Sequence, residues 1–210
     1  MRTNMSNTHT EMTDVWKKLV AVCMVVVLGV CGLGLSACGT NDEQLIKDSF
    51  SAMIDDFKNP TEENMEPYME DVSFEELESY GIDIYEFLGT CFKKLDYSID
   101  SVDIDGDTAV AHLSITNVDI SAAMNKAGED FTAWMATDEG MSALAATEES
   151  GSYTEIYQKV FEFFYQEVDQ ETDTVTTQVD FEFTKEDGAW NPSESSINEF
   201  VSALYGGLDI

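Results

Sequence analysis

Four kinds of residue in this chain could do chemistry. His112 is one of two histidines, the other being His9 near the start, so a metal site built on several imidazoles is nearly excluded. A Ser-His-Asp arrangement would have to use His112 as its general base. That residue stands mid-strand in AVAHLSIT, where a hydrogen-bonded or solvent-facing role is expected instead. Cys91 lies in the apolar stretch YEFLGTCFKKL and reads as a buried structural cysteine; Lys93 and Lys94 supply the nearby positive charge that a reactive thiolate would need. The stretch DIDGD places Asp103, Asp105 and Asp107 at alternate positions, as a calcium loop would. Its glycine falls before the third acid, however, and the twelfth position is Ser114 rather than a bidentate glutamate, so a solvated turn is the better account. Paired carboxylates can do acid and base work. Here the pairs Glu62-Glu63, Glu75-Glu76 and Glu148-Glu149 read as solvated faces, since acids this abundant must fall side by side. No phosphate-cradling glycine loop, zinc spacing or nucleophile elbow occurs, and no cofactor or metal is expected.

The elements that must position these groups follow from hydrophobic period. Leu45, Ile46, Phe50, Met53, Ile54 and Phe57 fit one face of a helix that starts at Asp42, a plausible N-cap, and ends at Asn59-Pro60. Short helices are expected from Thr61 to Met69, from Ser73, where SFEE forms a capping box with Glu76, to Gly81, and from Asp83 onward. The period then changes to two. Leu95, Tyr97 and Ile99, then Val102 and Ile104, lead to an Asp105-Gly106 turn, after which Ala109, Ala111, Leu113 and Ile115 face one way and Val110, His112 and Ser114 the other. Helices are expected again from Ser121 to Ala136 and from Ser152 to Val168. Between them TDEGMSALAATEESGS reads as a flexible loop or the lid of a pocket. A second hairpin turns at Asp187-Gly188 with Val175, Thr177, Val179, Phe181 and Phe183 inward and Trp190 on the return strand, and SSINEFVSALYGG closes the chain as a helix. Helices, hairpin, helices, hairpin predicts an α+β fold with an antiparallel sheet and helices on one face.

Charge bounds the partners. The 210 residues carry 42 Asp and Glu against 10 Lys and Arg, a net of -32. Such a field repels phosphate backbones, so no nucleic acid is expected as a partner. At 43% hydrophobic and 11% aromatic the chain nevertheless has the apolar material of a folded domain, which acidic disordered tails lack.

Residues 1–37 form a separate unit. Lys17 and Lys18 precede LVAVCMVVVLGVCGLGL, a charge-free run from Leu19 to Leu35, and small residues follow, which is the layout of an export signal. The run is also nearly long enough for a membrane-spanning anchor. Met12, which would give MTDVWKK directly before the apolar run, is an alternative start to Met1. The order Leu35-Ser36-Ala37-Cys38 resembles the lipobox of bacterial lipoproteins. That resemblance implies cleavage after Ala37 and acylation of the Cys38 thiol, which would hold the chain to the bilayer at the extracytoplasmic face of the cell membrane. Residues 38–41 would then be the lipidated N-terminus and a very short tether, and 42–210 a single acidic domain. Cys23 and Cys31 would leave with the signal, so Cys91 would be the one remaining thiol and no intramolecular disulfide could form. The chain after the cut would carry 7 basic and 40 acidic side chains, a net of -33.

The body shows a second, looser resemblance. A long helix behind a lipobox, the strand pair YSIDSVDIDGDTAVAHLSITNVD and a late strand ending in KEDGAW are similar to small bacterial lipoproteins with NTF2-like, or cystatin-like, domains. The resemblance implies a curved antiparallel sheet around a long helix with a cone-shaped cavity, and the helical insertion from Ser121 to Val168 departs from the plain fold. Tyr97, Trp134, Phe164, Phe181 and Trp190 are candidates to line such a cavity or to fill the core. The expected function is a non-catalytic binding or interaction module for a small molecule, cation or envelope protein. A structural role in envelope assembly is the alternative, and a hydrolase or isomerase of the NTF2-like kind is a third.

Overall fold

The structure, a computed structural model, describes residues 42–69 and 75–207. The signal, the lipobox, Cys38, the tether and the Ser73 capping box lie outside these. In chain order the elements are α1 (Asp42–Lys58), α2 (Glu62–Met69), α3 (Glu75–Ser79), α4 (Ile84–Phe92), β1 (Asp96–Asp105), β2 (Thr108–Val118), α5 (Ile120–Met135), α6 (Asp138–Ser150), α7 (Thr154–Gln170), β3 (Thr174–Glu186), β4 (Ala189–Pro192) and α8 (Glu194–Leu204). The four strands form one open antiparallel sheet in the order β1-β2-β3-β4. The fold is therefore α+β. The expected helical insertion is the α5-α6-α7 segment, which separates two strands that lie side by side.

Alternation decides which sheet face is inner. Ala109, Ala111, Leu113 and Ile115 of β2 are buried opposite Phe183, Phe181, Val179 and Thr177 of β3. Phe50 of α1 meets this face edge-on, its ring 5.1 Å from Phe181, 5.9 Å from Phe183 and 5.8 Å from Phe200 of α8. Further along α1, Phe57 stacks on Phe92 of α4 at 5.6 Å. On β1 the inward set jumps from Ile99 to Val102. An odd spacing breaks strict alternation, and the structure shows why: the β1–β2 register shifts between Ile99 and Ser101, leaving Asp100 as a bulge.

The outer turns match expectation. Asp83 caps α4, its Oδ1 accepting from the amides of Tyr85 and Glu86. At the β3–β4 turn Asp187 and Gly188 both have positive φ, 51° and 85°, as a two-residue hairpin of this twist needs.

Two local expectations are corrected. The segment around TDEGMSALAATEESGS is a helix, α6, rather than a loop or lid. Thr137 caps it by accepting from the Gly140 amide, Asp138 and Glu139 complement the dipole in its first turn, its middle is alanine-rich, and Gly151 closes it. Asp42 is not the N-cap of α1 but lies in its first turn, and its carboxylate pairs across space with Lys185 at 2.8 Å.

Asn117 ties the layers together. It occupies the next inward position of β2 after Ile115 and is wholly buried. Its Nδ2 donates to the Cys91 carbonyl at 2.9 Å and the Leu204 carbonyl at 2.6 Å, closing the last turns of α4 and α8, while Oδ1 accepts from the Val118 amide. Beside it, Gly206 (φ 69°) passes so close that a Cβ there would lie 2.3 Å from the Val118 carbonyl oxygen, so no larger residue fits.

Candidate functional site

The outer face of the sheet is the place where polar side chains converge. The same alternation that buries Ala111 and Leu113 turns His112 and Ser114 outward, and the bulge at Asp100 keeps Ser98, Ser101 and Asp103 on that side. His112 is about one-third exposed (35%) and is held at both nitrogens: Nδ1 lies 2.6 Å from Asp180 on β3 and Nε2 3.3 Å from Asp103 on β1. One imidazole thus bridges three strands. Next to it, the Ser114 hydroxyl donates to Asp100 Oδ2 at 2.8 Å, Ser98 donates to Asp100 Oδ1 at 2.9 Å, and the Gln178 amide donates to Ser114. Thr116 and Thr176 close the row at 2.7 Å.

The electrostatics follow from these contacts. Asp180, chiefly by its hydrogen bond, and then Asp103 favour the charged ring and raise the His112 pKa above its ordinary 6.5, against partial desolvation. The hydroxyls of Ser114 and then Ser98 lower that of Asp100. With a carboxylate on each ring nitrogen, His112 has no nitrogen left to take a proton from a nucleophile. The geometry suits a fixed cation inside an acidic face, not a general base. Because the two carboxylates sit on opposite edges of the ring, they do not converge on one point. Among the described residues no group of three or more His, Cys, Asp or Glu side chains is placed to hold a metal ion.

This sets the sign of a pH effect. The folded pKa of His112 exceeds the unfolded one, so the clamp contributes its full stabilisation below 6.5 and loses it as pH rises through the folded value. NMR titration of the His112 ring is expected to give a midpoint above 6.5, and Asp180→Asn should lower it more than Asp103→Asn. Equal midpoints in all three proteins would remove the clamp.

Four of the candidate pocket residues belong to the main core and the fifth stands apart. Phe164, Phe181 and Trp190 are buried in the main core, and Tyr97 packs against it half-buried. Trp134 belongs to a separate cluster with Phe131, Ala143, Ile156 and Val160 at the α5–α6–α7 junctions. Lys159 lies over its ring at 5.8 Å. Cys91 is fully buried, as expected. The lysines that follow it serve α7 instead: Lys93 pairs with Asp169 at 2.8 Å, and Lys94 donates to the carbonyls of Val168, Asp169 and Glu171, where a cation complements the helix C-terminus. Glu171, at the end of α7, is nearly buried (4% exposed) yet ionised, its pKa lowered first by Lys126 and then by the amides of Asp173 and Thr172.

Sequence reasoning missed three of these roles. Asp180 could not be paired with His112 because 55 residues separate β2 from β3. Asp100 could have been found from the odd Ile99–Val102 spacing, and Asn117 from being polar at an inward position.

No family model and no curated protein matches the chain. The resemblance to NTF2-like domains therefore stands on the helix and hairpin pattern alone. Among solved structures, the chain is similar to the lipoprotein candidate YcdA of Bacillus subtilis subsp. subtilis str. 168, at 14% identity and a TM-score of 0.40 over 79% of this chain and 47% of that one. The chain spans about half the length of YcdA. A likeness of that degree carries no argument about function.

Proposed function

We propose that this protein is a lipoprotein held to the extracytoplasmic face of the cell membrane by an acylated Cys38, and that its body is a non-catalytic interaction module. The observation that carries the reading is the position of the cut. The charge-free run from Leu19 to Leu35 leads into Leu35-Ser36-Ala37-Cys38, and α1 begins four residues later at Asp42. Two acyl chains at about 0.8 kcal/mol per buried CH₂ hold a protein firmly on a bilayer that its own charge would repel. No helix among the described residues is long and apolar enough to cross a membrane. The non-catalytic part is supported by His112, whose two nitrogens are both committed to carboxylates. The polar outer face, fixed by hydrogen bonds rather than filled with apolar side chains, favours a cationic or polar partner, whether a small molecule or an envelope protein.

The test is metabolic labelling of the full chain in a bacterium with an alkyne-tagged fatty acid. Wild type is expected to take up the label and stay in the membrane pellet after a high-salt wash, and Cys38→Ser to lose the label. Unlabelled wild type, or label that survives the substitution, overturns the anchor.

A further inference from the structure

We propose that β1 takes an extended cationic segment of a partner protein along its open edge, over Ser101 to Asp105, as a fifth strand of the sheet. This names the partner of the interaction module proposed above and rests on that reading, though not on the Cys38 anchor. In the order β1-β2-β3-β4 the two middle strands are paired on both sides. Among the described residues no strand pairs with the outer edge of β1. Such an edge turns backbone N–H and C=O groups outward at alternate residues, and an added strand pairs with these.

Acids are spread over the whole chain, so charge alone does not single out this edge. The uncovered backbone and an uncovered isoleucine do. Ala109, Ala111, Leu113 and Ile115, the inner row of β2, are at most 2% exposed. Ile104 stands on the same face, paired with Ala109, yet is 39% exposed, one of two large apolar side chains so exposed among the described residues. A strand laid beside β1 would cover it with an inward residue of its own. On the opposite face the same segment turns out Asp103 and Asp105, both exposed. Neither β1 nor β2 contains a lysine or arginine, and His112 is already held between Asp103 and Asp180. Along the edge the order is therefore acid, isoleucine, acid. Directly opposed residues share a face and opposite charges across a strand pair attract, so the complementary strand reads base, apolar, base. The bulge at Asp100 sets where pairing begins, because it breaks the pleat between Ile99 and Ser101. The clean run after it is roughly 17 Å long at the usual rise per residue.

The experiment uses the full-length protein in a non-ionic detergent and, as the probe, an end-blocked heptapeptide of alternating lysine and valine. Amide hydrogen exchange followed by NMR reads the edge residue by residue. Alternate amides between Ser101 and Asp105 are expected to exchange fast in the free protein and to slow severalfold when the peptide binds. Protection of that edge without peptide means that another segment of this chain already covers it, which overturns the proposal. Asp105→Lys is expected to weaken binding roughly tenfold, since an attractive cross-strand pair becomes a repulsive one, and Ile104→Thr to weaken it severalfold. Both positions are exposed and neither belongs to the His112 clamp, so the fold should survive each change. Unchanged affinity in both variants overturns the proposal. A peptide of the same sequence with every backbone nitrogen methylated keeps the charge but cannot lie against a strand edge, and is expected not to bind. If it binds equally well, the acidic surface alone holds the peptide, which overturns strand addition and leaves the interaction module standing. If neither peptide binds, the edge proposal falls and the cationic partner falls with it.

Discussion

Asn117→Ala is expected to destabilise the fold by about 3–5 kcal/mol, since buried groups left without partners each cost about 1–3 kcal/mol. The substitution strips the Cys91 and Leu204 carbonyls of their donor and the Val118 amide of its acceptor in one step, at a site with no solvent access. The loss is spread over three elements, because α4 and α8 are each closed onto β2 by this one side chain. Asn117→Asp should cost at least as much. It keeps the acceptor for Val118 but turns an oxygen toward two carbonyls, where the asparagine offered two N–H groups. Urea unfolding followed by circular dichroism reads both. A midpoint for Asn117→Ala within error of wild type would mean that the two carbonyls find other donors.

The second large effect belongs to Phe50. Phe50→Ala is expected to cost about 3–5 kcal/mol, the range for deleting a buried aromatic ring and leaving a cavity. Its ring fills the contact between α1, β3 and α8, with edge-to-face or tilted neighbours on three sides. Phe50→Leu should recover much of the loss, since it refills volume without restoring the ring geometry. The same unfolding assay separates them. If alanine and leucine destabilise equally, shape complementarity of the rings rather than volume governs the site.

These two residues also show what could be read from the chain and what could not. Phe50 was legible because a helix stripe and a strand alternation are local patterns, and both hairpins announced themselves through Asp-Gly turns. The helix α6 was not, since Gly140 and a run of small acidic residues resemble a loop. Its Thr137 cap and alanine content outweigh them once α5 and α7 are packed on either side. Half of the His112 clamp was within reach, because the β1–β2 hairpin brings Asp103 near it. Asp180 arrives only through the β2–β3 register, a long-range pairing that no local pattern encodes. Asp42 looked like a cap for the same reason: its partner Lys185 is 143 residues away.

The open edge of the sheet has a consequence of its own. β1 is ten residues long and, among the described residues, no strand pairs with its outer edge, which is ordinarily a template for copies to zip together. This strand carries Asp96, Asp100, Asp103 and Asp105, all exposed, and the bulge interrupts its pleat midway. These like charges and the kinked backbone disfavour pairing with a second β1. Under the Cys38 anchor proposed above, molecules confined to two dimensions would crowd edge to edge without pairing through this strand.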